Sequence, residues 1–341
     1  MATLAVLFVA SVSLILAIIF GRPDGGSLPD GQTPDSAGEA EQFIYFSRLT
    51  GLGVREQSEA TPKVIAVMMD NNPDGYPLTG LNDAGVVYEV PVEGSITRFM
   101  ALYPASSTAE KVGPVRSARP YYLDWLAEYG TALYMHCGGS AEGLAEVKTR
   151  GVFDADEFFR TPYFWRDHTR LAPHNLYTSA EKWQKYLVDY DNGRVFADWQ
   201  GWEFGEAPTT GTEKISSLSA AYASRFVVGW RYDSGQGKYD RLLNNELFLD
   251  DKNNPLETDN VVVQYASISV IDEIGRRKIV AIGEGEARVF RNGLMVRGTW
   301  KKENPSDRTR FYNKLGNEIP LAPGKTWVMV VPLKMSITVS N

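Results

Sequence analysis

A run without charge limits what this chain can be. Ala2 to Phe20, "ATLAVLFVASVSLILAIIF", holds 19 uncharged residues, and a helix rising about 1.5 Å per residue would carry them roughly 28 Å, close to the thickness of a bilayer core. No small-x-small cleavage pattern follows in "IIFGRPDGG", so the run reads as a retained membrane anchor over 1–22 rather than a removed signal. The expected arrangement is a single-pass cell-membrane protein with its soluble part outside the cytoplasm. A linker over 23–60 follows, because "GRPDGGSLPDGQTPDSAGEAEQ" has too little apolar content to offset the entropy of ordering.

From Thr61 the pattern changes to short apolar runs. "VIAVMMD" (64–70) reads as a buried strand, and "GVVYEVPVEG" (85–94) with "RFMALYP" (98–104) as two strands joined by a tight turn. "PYYLDWLAEYG" (120–130) has Pro in its first turn and Gly past its end, the punctuation of a helix, and "ALYMHCGGS" (132–140) gives a further strand followed by a helix opening at Ser140. Interleaved strands and helices predict an α/β or α+β N-terminal domain over 61–205. "EAPTTGTEK" predicts a linker over 206–216, and the strand-like runs beyond it a mostly-β domain over 217–341, either a small sandwich or an open barrel. "RNGL" (291–294) suits a two-residue hairpin turn. Trp230, Tyr232, Tyr239, Trp300 and Trp327 are expected in that domain's core rather than on a binding face. The basic run "RGTWKKENPSDRTR" (297–310) reads as a solvated hairpin or a contact to anionic polymer.

Composition excludes several functions. With 341 residues, 43% of them hydrophobic, the chain can bury a substantial core, while a formal net charge of −7 argues against a general nucleic-acid surface. Cys137 stands alone, so no internal disulfide and no cysteine-rich metal centre can form. His168 and His174 lie six apart without a metalloprotease signature, so neither a metal nor a cofactor is expected.

Several long segments resemble one bacterial family. "VMMDNNPDGYPLTGLNDAGVVYEVPVEGSITRFMALY", "KVGPVRSARPYYLDW", "YMHCGGS", "APHNLYTS" and "WKKENPSDRTRFYNKLGNEIPLAPGKTWVMVVP" occur in order, and the chain from Thr61 to Leu333 is similar to the YerB-like lipoprotein family. That resemblance implies an exported, envelope-associated protein of two domains, with no activity to inherit. One departure stands out: no cysteine precedes Cys137, so the N-terminal helix would take the place of a lipid anchor.

The site nominated by the residues is "GPVRSARPYY" (113–122). Arg119 precedes Pro120 and would cap a helix beginning there, so that Arg116, Arg119 and the helix start form an anion cradle suited to phosphate or carboxylate, with Ser117 between them and Arg98 as a third cation. The bland alternative is that both arginines are tied to the protein's own acids. "HCGGSAEG" offers His136, Gly138, Gly139 and Ser140 as a backbone nest, or else only a tight turn. If 64–70 and 132–139 are parallel neighbours, Asp70 and Asn71 share their sheet edge. His174 and Asn175 would either contact ligand or brace a loop, with Thr178 as the next helix cap and Glu181 completing a capping box.

These residues predict binding of an anionic, phosphorylated or carboxylated, envelope ligand. The alternatives are a hydrolase or transferase using Asp70 or Glu93 as acid or base, and a scaffold that binds no small ligand. Glu89 and Glu93 share a strand face roughly 13 Å apart and are no catalytic pair. Cys137 and His136 point to opposite faces, so the thiol has no adjacent base and reads as inert.

Overall fold

The computed structural model describes residues 45–341. The expected membrane helix and the expected linker up to residue 44 lie outside the described residues. Among the described residues no helix is long and apolar enough to cross a membrane. The remainder of the expected linker is folded: Tyr45–Phe46 pairs with Gly53–Val54, the short helix Gln57–Ala60 follows, and Leu49 between them is buried.

The fold is mostly β, with few helices. Its largest element is an 11-stranded mixed sheet that runs through both halves of the chain. The centre of that sheet explains the apolar runs. Val64–Met69 is buried at all six positions because its two faces enter different cores: Ile65, Val67 and Met69 on one side, Val64, Ala66 and Met68 on the other. Thr97–Pro104 pairs with it antiparallel, and Leu133–His136 and then Asp154–Asp156 extend the sheet in parallel.

The expected separation at 206–216 is bridged by backbone pairing. Val86–Pro91 runs parallel to Thr326–Pro332, with Val86 opposite Thr326 and Glu89 opposite Met329. Strands Asn260–Ala266, Gly283–Arg291 and Leu294–Lys302 continue from there, and Thr212–Lys214, inside the expected linker, closes that edge. Only part of the C-terminal half makes a sheet of its own. Six strands, including Ser217–Ala223, Phe226–Asp233 and Lys238–Leu243, pack with helix Ala180–Tyr190 on the face holding Ile65, Met69 and Trp327.

The helix expected over 120–130 is shorter than its sequence pattern. It spans Tyr122–Leu126 and tightens into a 3₁₀ turn over Ala127–Tyr129, with Tyr121 rather than Arg119 at its cap position. Tyr122, Leu123 and Trp125 cover the other face of the sheet. Ser140 caps Ala141–Thr149 by accepting from the Gly143 N–H, and Ser179, not Thr178, caps Ala180–Tyr190. The 291–294 turn has Asn292 and Gly293 both at positive φ, 49° and 69°, as a two-residue hairpin requires. Trp230, Tyr239, Trp300 and Trp327 are core residues.

Candidate functional site

The parallel strands Val64–Met69 and Leu133–His136 end together, and Val115–Ala118 threads between their continuations. The Arg116 N–H donates to the Met68 carbonyl, the Arg116 carbonyl accepts from Cys137 N–H, and the Ala118 N–H donates to Gly138 O. Asp70, Arg116 and His136 to Ser140 are thereby gathered at one sheet edge. The chemistry there differs from the cradle that spacing suggested.

Both nominated arginines already face carboxylates. Arg119 grips Glu93 with Nε and Nη2 at 2.8 and 3.0 Å. Burial works against the Glu93 charge, yet the Arg119 fork and its own backbone N–H hold that carboxyl below the usual carboxylate range. Glu93 therefore stays ionised and is unsuited to donate a proton, which removes it as a catalytic acid. Arg116 Nε lies 3.3 Å from Asp70 Oδ2, near enough for Coulomb attraction but without hydrogen-bond alignment. A five-residue helix capped by Tyr121 gives no anion-binding start. The cradle of Arg116, Arg119 and helix dipole is thus corrected to two ion pairs.

The nest is filled as well. Asp156 Oδ1 accepts from the Gly138 N–H at 2.8 Å, and the Ser140 N–H donates to Ala118 O. Gly139 bridges Ala118 and meets Leu144. His136 is fully buried, with Nδ1 at 2.9 Å from Gly138 O. Asn71 is buried too, donating to Thr97 Oγ1 and accepting from the Tyr76 hydroxyl. Asn175 accepts from Arg166 and donates to the Arg170 carbonyl, the loop-bracing role. Cys137 donates to Glu157, and burial together with that carboxylate pushes its thiol up to about 11, consistent with an inert cysteine.

What remains is more selective than the sequence reading. Asp70, almost fully buried, accepts from His174 Nδ1 at 2.5 Å, so one carboxylate oxygen serves both His174 and Arg116. The imidazole proton on Nδ1 is fixed by this partner, leaving Nε2 as the free ring nitrogen. Arg98, 6% exposed, donates Nη1 to the Ser117 carbonyl at 2.9 Å, while its Nε has no hydrogen-bond partner. No carboxylate among the described residues lies within ion-pair distance of it. Burial makes Arg98 less basic than a free guanidinium, and the like charges of Arg119 and Arg116 act in the same direction. Of the three guanidinium groups, Arg119 pairs with Glu93 and Arg116 lies against Asp70, while Arg98 holds only the Ser117 carbonyl; Asp156, on the Gly138 N–H, brings a third carboxylate to the same edge.

Residues 49–192 match the family described as "Protein of unknown function (DUF3048) N-terminal domain", and residues 218–328 its C-terminal domain. The chain belongs to the DUF3048 family. It is 30% identical over 290 residues to the protein named "Putative lipoprotein YerB" of Bacillus subtilis (strain 168), covering 83% of this chain and 85% of the relative. A crystal structure of YerB from Bacillus subtilis superimposes with a TM-score of 0.75 at 28% identity, over 86% of this chain and 99% of that one.

The two DUF3048 domains also enclose a cleft of about 1160 Å³ that no sequence motif announced. Asn82 and Asp83 come from one domain, Asp251, Asp259 and Lys325 from the other, and none of the three corner arginines reaches it. Lys325 Nζ donates to the Leu81 carbonyl at 2.9 Å and to Asn82 Oδ1 at 3.4 Å, tying the domains together. Burial pushes its ammonium down to about 7 from the ordinary 10.5, against the pull of Asp83 and Asp259. Between those values the unfolded chain binds the extra proton, so stability should rise with pH from about 7 to about 10, by at most about 1.4 kcal/mol per unit. Lys325→Met should flatten the rise in denaturation curves taken across that range; an unchanged slope would assign it to other groups.

Proposed function

We propose that this DUF3048 protein is a membrane-tethered, extracytoplasmic envelope protein that binds an anionic ligand bearing phosphate or carboxylate at the Arg98–Arg116–Arg119 corner. The observation that carries the reading is Arg98. A buried guanidinium with an unfilled Nε and no acid partner destabilises the fold unless something negative completes it. The absence of an ion-paired carboxylate at Arg98 supports an anion rather than a neutral ligand, and Arg116, sharing its acid with His174, can turn toward one. The relative's name, "Putative lipoprotein YerB", and the uncharged run Ala2–Phe20 support the tether and the envelope location.

Arg98→Met separates this reading from a structural role. It should abolish binding of pyrophosphate or a phosphorylated sugar in calorimetric titration, yet raise stability by about 1–3 kcal/mol, because an uncompensated buried charge is removed. A loss of stability with intact binding would refute the assignment.

A second reading, hydrolysis or transfer of a phosphate-bearing or glycan substrate, is favoured by one observation, the Asp70–His174 pair. A buried carboxylate orienting Nδ1 leaves Nε2 placed as a general base beside Arg116. Turnover of phosphoesters that disappears in His174→Gln would support it; binding without turnover favours the first reading.

A further inference from the structure

Three large apolar side chains stand in water around the same corner. Phe158 is 68% exposed, Phe159 77% and Leu171 87%. A second exposed apolar group, Val270, Ile271 and Ile274, lies on the hairpin that pairs Ile268–Val270 with Arg277–Ile279. Those at the corner are placed by contacts. The edge of the Phe158 ring lies against Gly138, where an added Cβ would come within 2.7 Å of it, and the Gly138 carbonyl holds the Ala118 N–H. On the other side the Leu171 carbonyl receives the His174 N–H, and Pro173 O receives Arg116 Nη1 at 3.4 Å. Phe158 therefore borders the 116–118 segment, whose Ser117 carbonyl holds Arg98, and the backbone of Leu171 belongs to the loop that Arg116 reaches through Pro173.

Cations without acid partners lie among them. Arg170 spends its donors on the carbonyls of Gly75, Tyr76 and Pro77 and on the Tyr177 hydroxyl. Arg160 bonds the Phe159 carbonyl and stacks 4.7 Å over Tyr190. Apolar tips beside guanidinium groups complement a molecule that is negative at one end and oily at the other. A water-soluble sugar phosphate would leave the phenylalanines and the leucine wet.

We infer that the ligand of this corner is an anionic amphiphile, a lipid phosphate whose headgroup meets Arg98 and Arg116 while its hydrocarbon lies against Phe158, Phe159 and Leu171. The inference rests on the anion reading above and adds the tail. The sequence allows the encounter: residues 21–44 separate the uncharged run from Tyr45, and 24 residues can span up to roughly 80 Å. A body tethered that closely would meet lipid headgroups at high local concentration.

The test uses residues 45–341, which hold both hydrophobic cores of the described residues and both matched family domains. Ethyl phosphate, octyl phosphate below its micelle concentration, and octyl glucoside are titrated calorimetrically. Octyl phosphate should bind at least tenfold more tightly than ethyl phosphate and than octyl glucoside. The double variant Phe158→Ser/Phe159→Ser should reduce the first ratio below threefold and leave ethyl phosphate binding unchanged. Equal binding of the two phosphates would overturn the amphiphile and keep the anion site. Octyl glucoside binding as well as octyl phosphate, or neither phosphate binding, would overturn both.

Discussion

Replacing Glu89 by leucine should destabilise the protein by about 3–5 kcal/mol, because it strands Arg241 in the core. Both side chains are fully buried, and the pair is bidentate at 2.7 and 2.9 Å. Trp327 Nε1 and Thr97 Oγ1 complete the acceptor capacity of the carboxylate at 2.8 and 2.7 Å. The guanidinium is walled by Trp327 at 4.9 Å, Phe99 at 5.4 Å, and Trp230 and Phe248 at 5.6 Å. These rings attract a cation but cannot replace a carboxylate. Because Glu89 belongs to the N-terminal DUF3048 domain and Arg241 to the C-terminal one, the loss should weaken the body as one cooperative unit. The double variant Glu89→Leu/Arg241→Met should recover most of it, since a buried pair exchanged for apolar groups is often nearly neutral. Urea denaturation of the singles and the double reads the coupling. A Glu89→Leu cost below about 1 kcal/mol would mean that the interior there is wetter than the burial of both side chains implies.

The second large effect belongs to Glu128. Its carboxylate accepts from Lys302 at 2.7 Å, Arg308 at 3.1 Å and Thr309 at 2.6 Å, all buried. Lys302 also donates to the Asp124 carbonyl, and Arg308 stacks 4.1 Å over Tyr129. One acid holding two cations cannot be neutralised without leaving both in a low-dielectric interior. Glu128→Gln should therefore cost about 3–5 kcal/mol. Lys302→Met, which removes the surplus cation, should cost far less. Thermal unfolding of the two variants gives the order; if Lys302→Met were the worse, the pairing of Arg308 with Glu128 would not be what holds this corner.

Those two clusters also show where the sequence stops being informative. "VIAVMMD" and "WVMVVP" declare themselves as buried strands, and "RNG" as a hairpin turn, because period, β-branching and left-handed propensity are local. That Val86–Pro91 pairs with Thr326–Pro332 is not local. A continuous apolar strand accepts any neighbour, so the sequence divides the chain into two domains without showing that one sheet crosses both. The basic run 297–310 read as solvated because its acid, Glu128, lies far away in sequence and its cage of aromatics cannot be foreseen. Arg116 and Arg119 were legible as a cluster, while their partners were not: Asp70 and Glu93 arrive through strand ends and a 3₁₀ turn. Arg98, a lone arginine opening a buried strand, was legible as a third cation, while its lack of a paired carboxylate was not. The family was legible because its motifs are long and ordered, and both of its domains are matched.

Arg98, buried without an ion-paired carboxylate, is the group that an anion would complete. Crystals of residues 45–341 soaked in tungstate and measured at the tungsten edge address this directly. An anomalous peak within hydrogen-bond reach of Arg98 and Arg116 is the predicted result. A map with no peak there, and an ordered water filling the Arg98 Nε position, would contradict it.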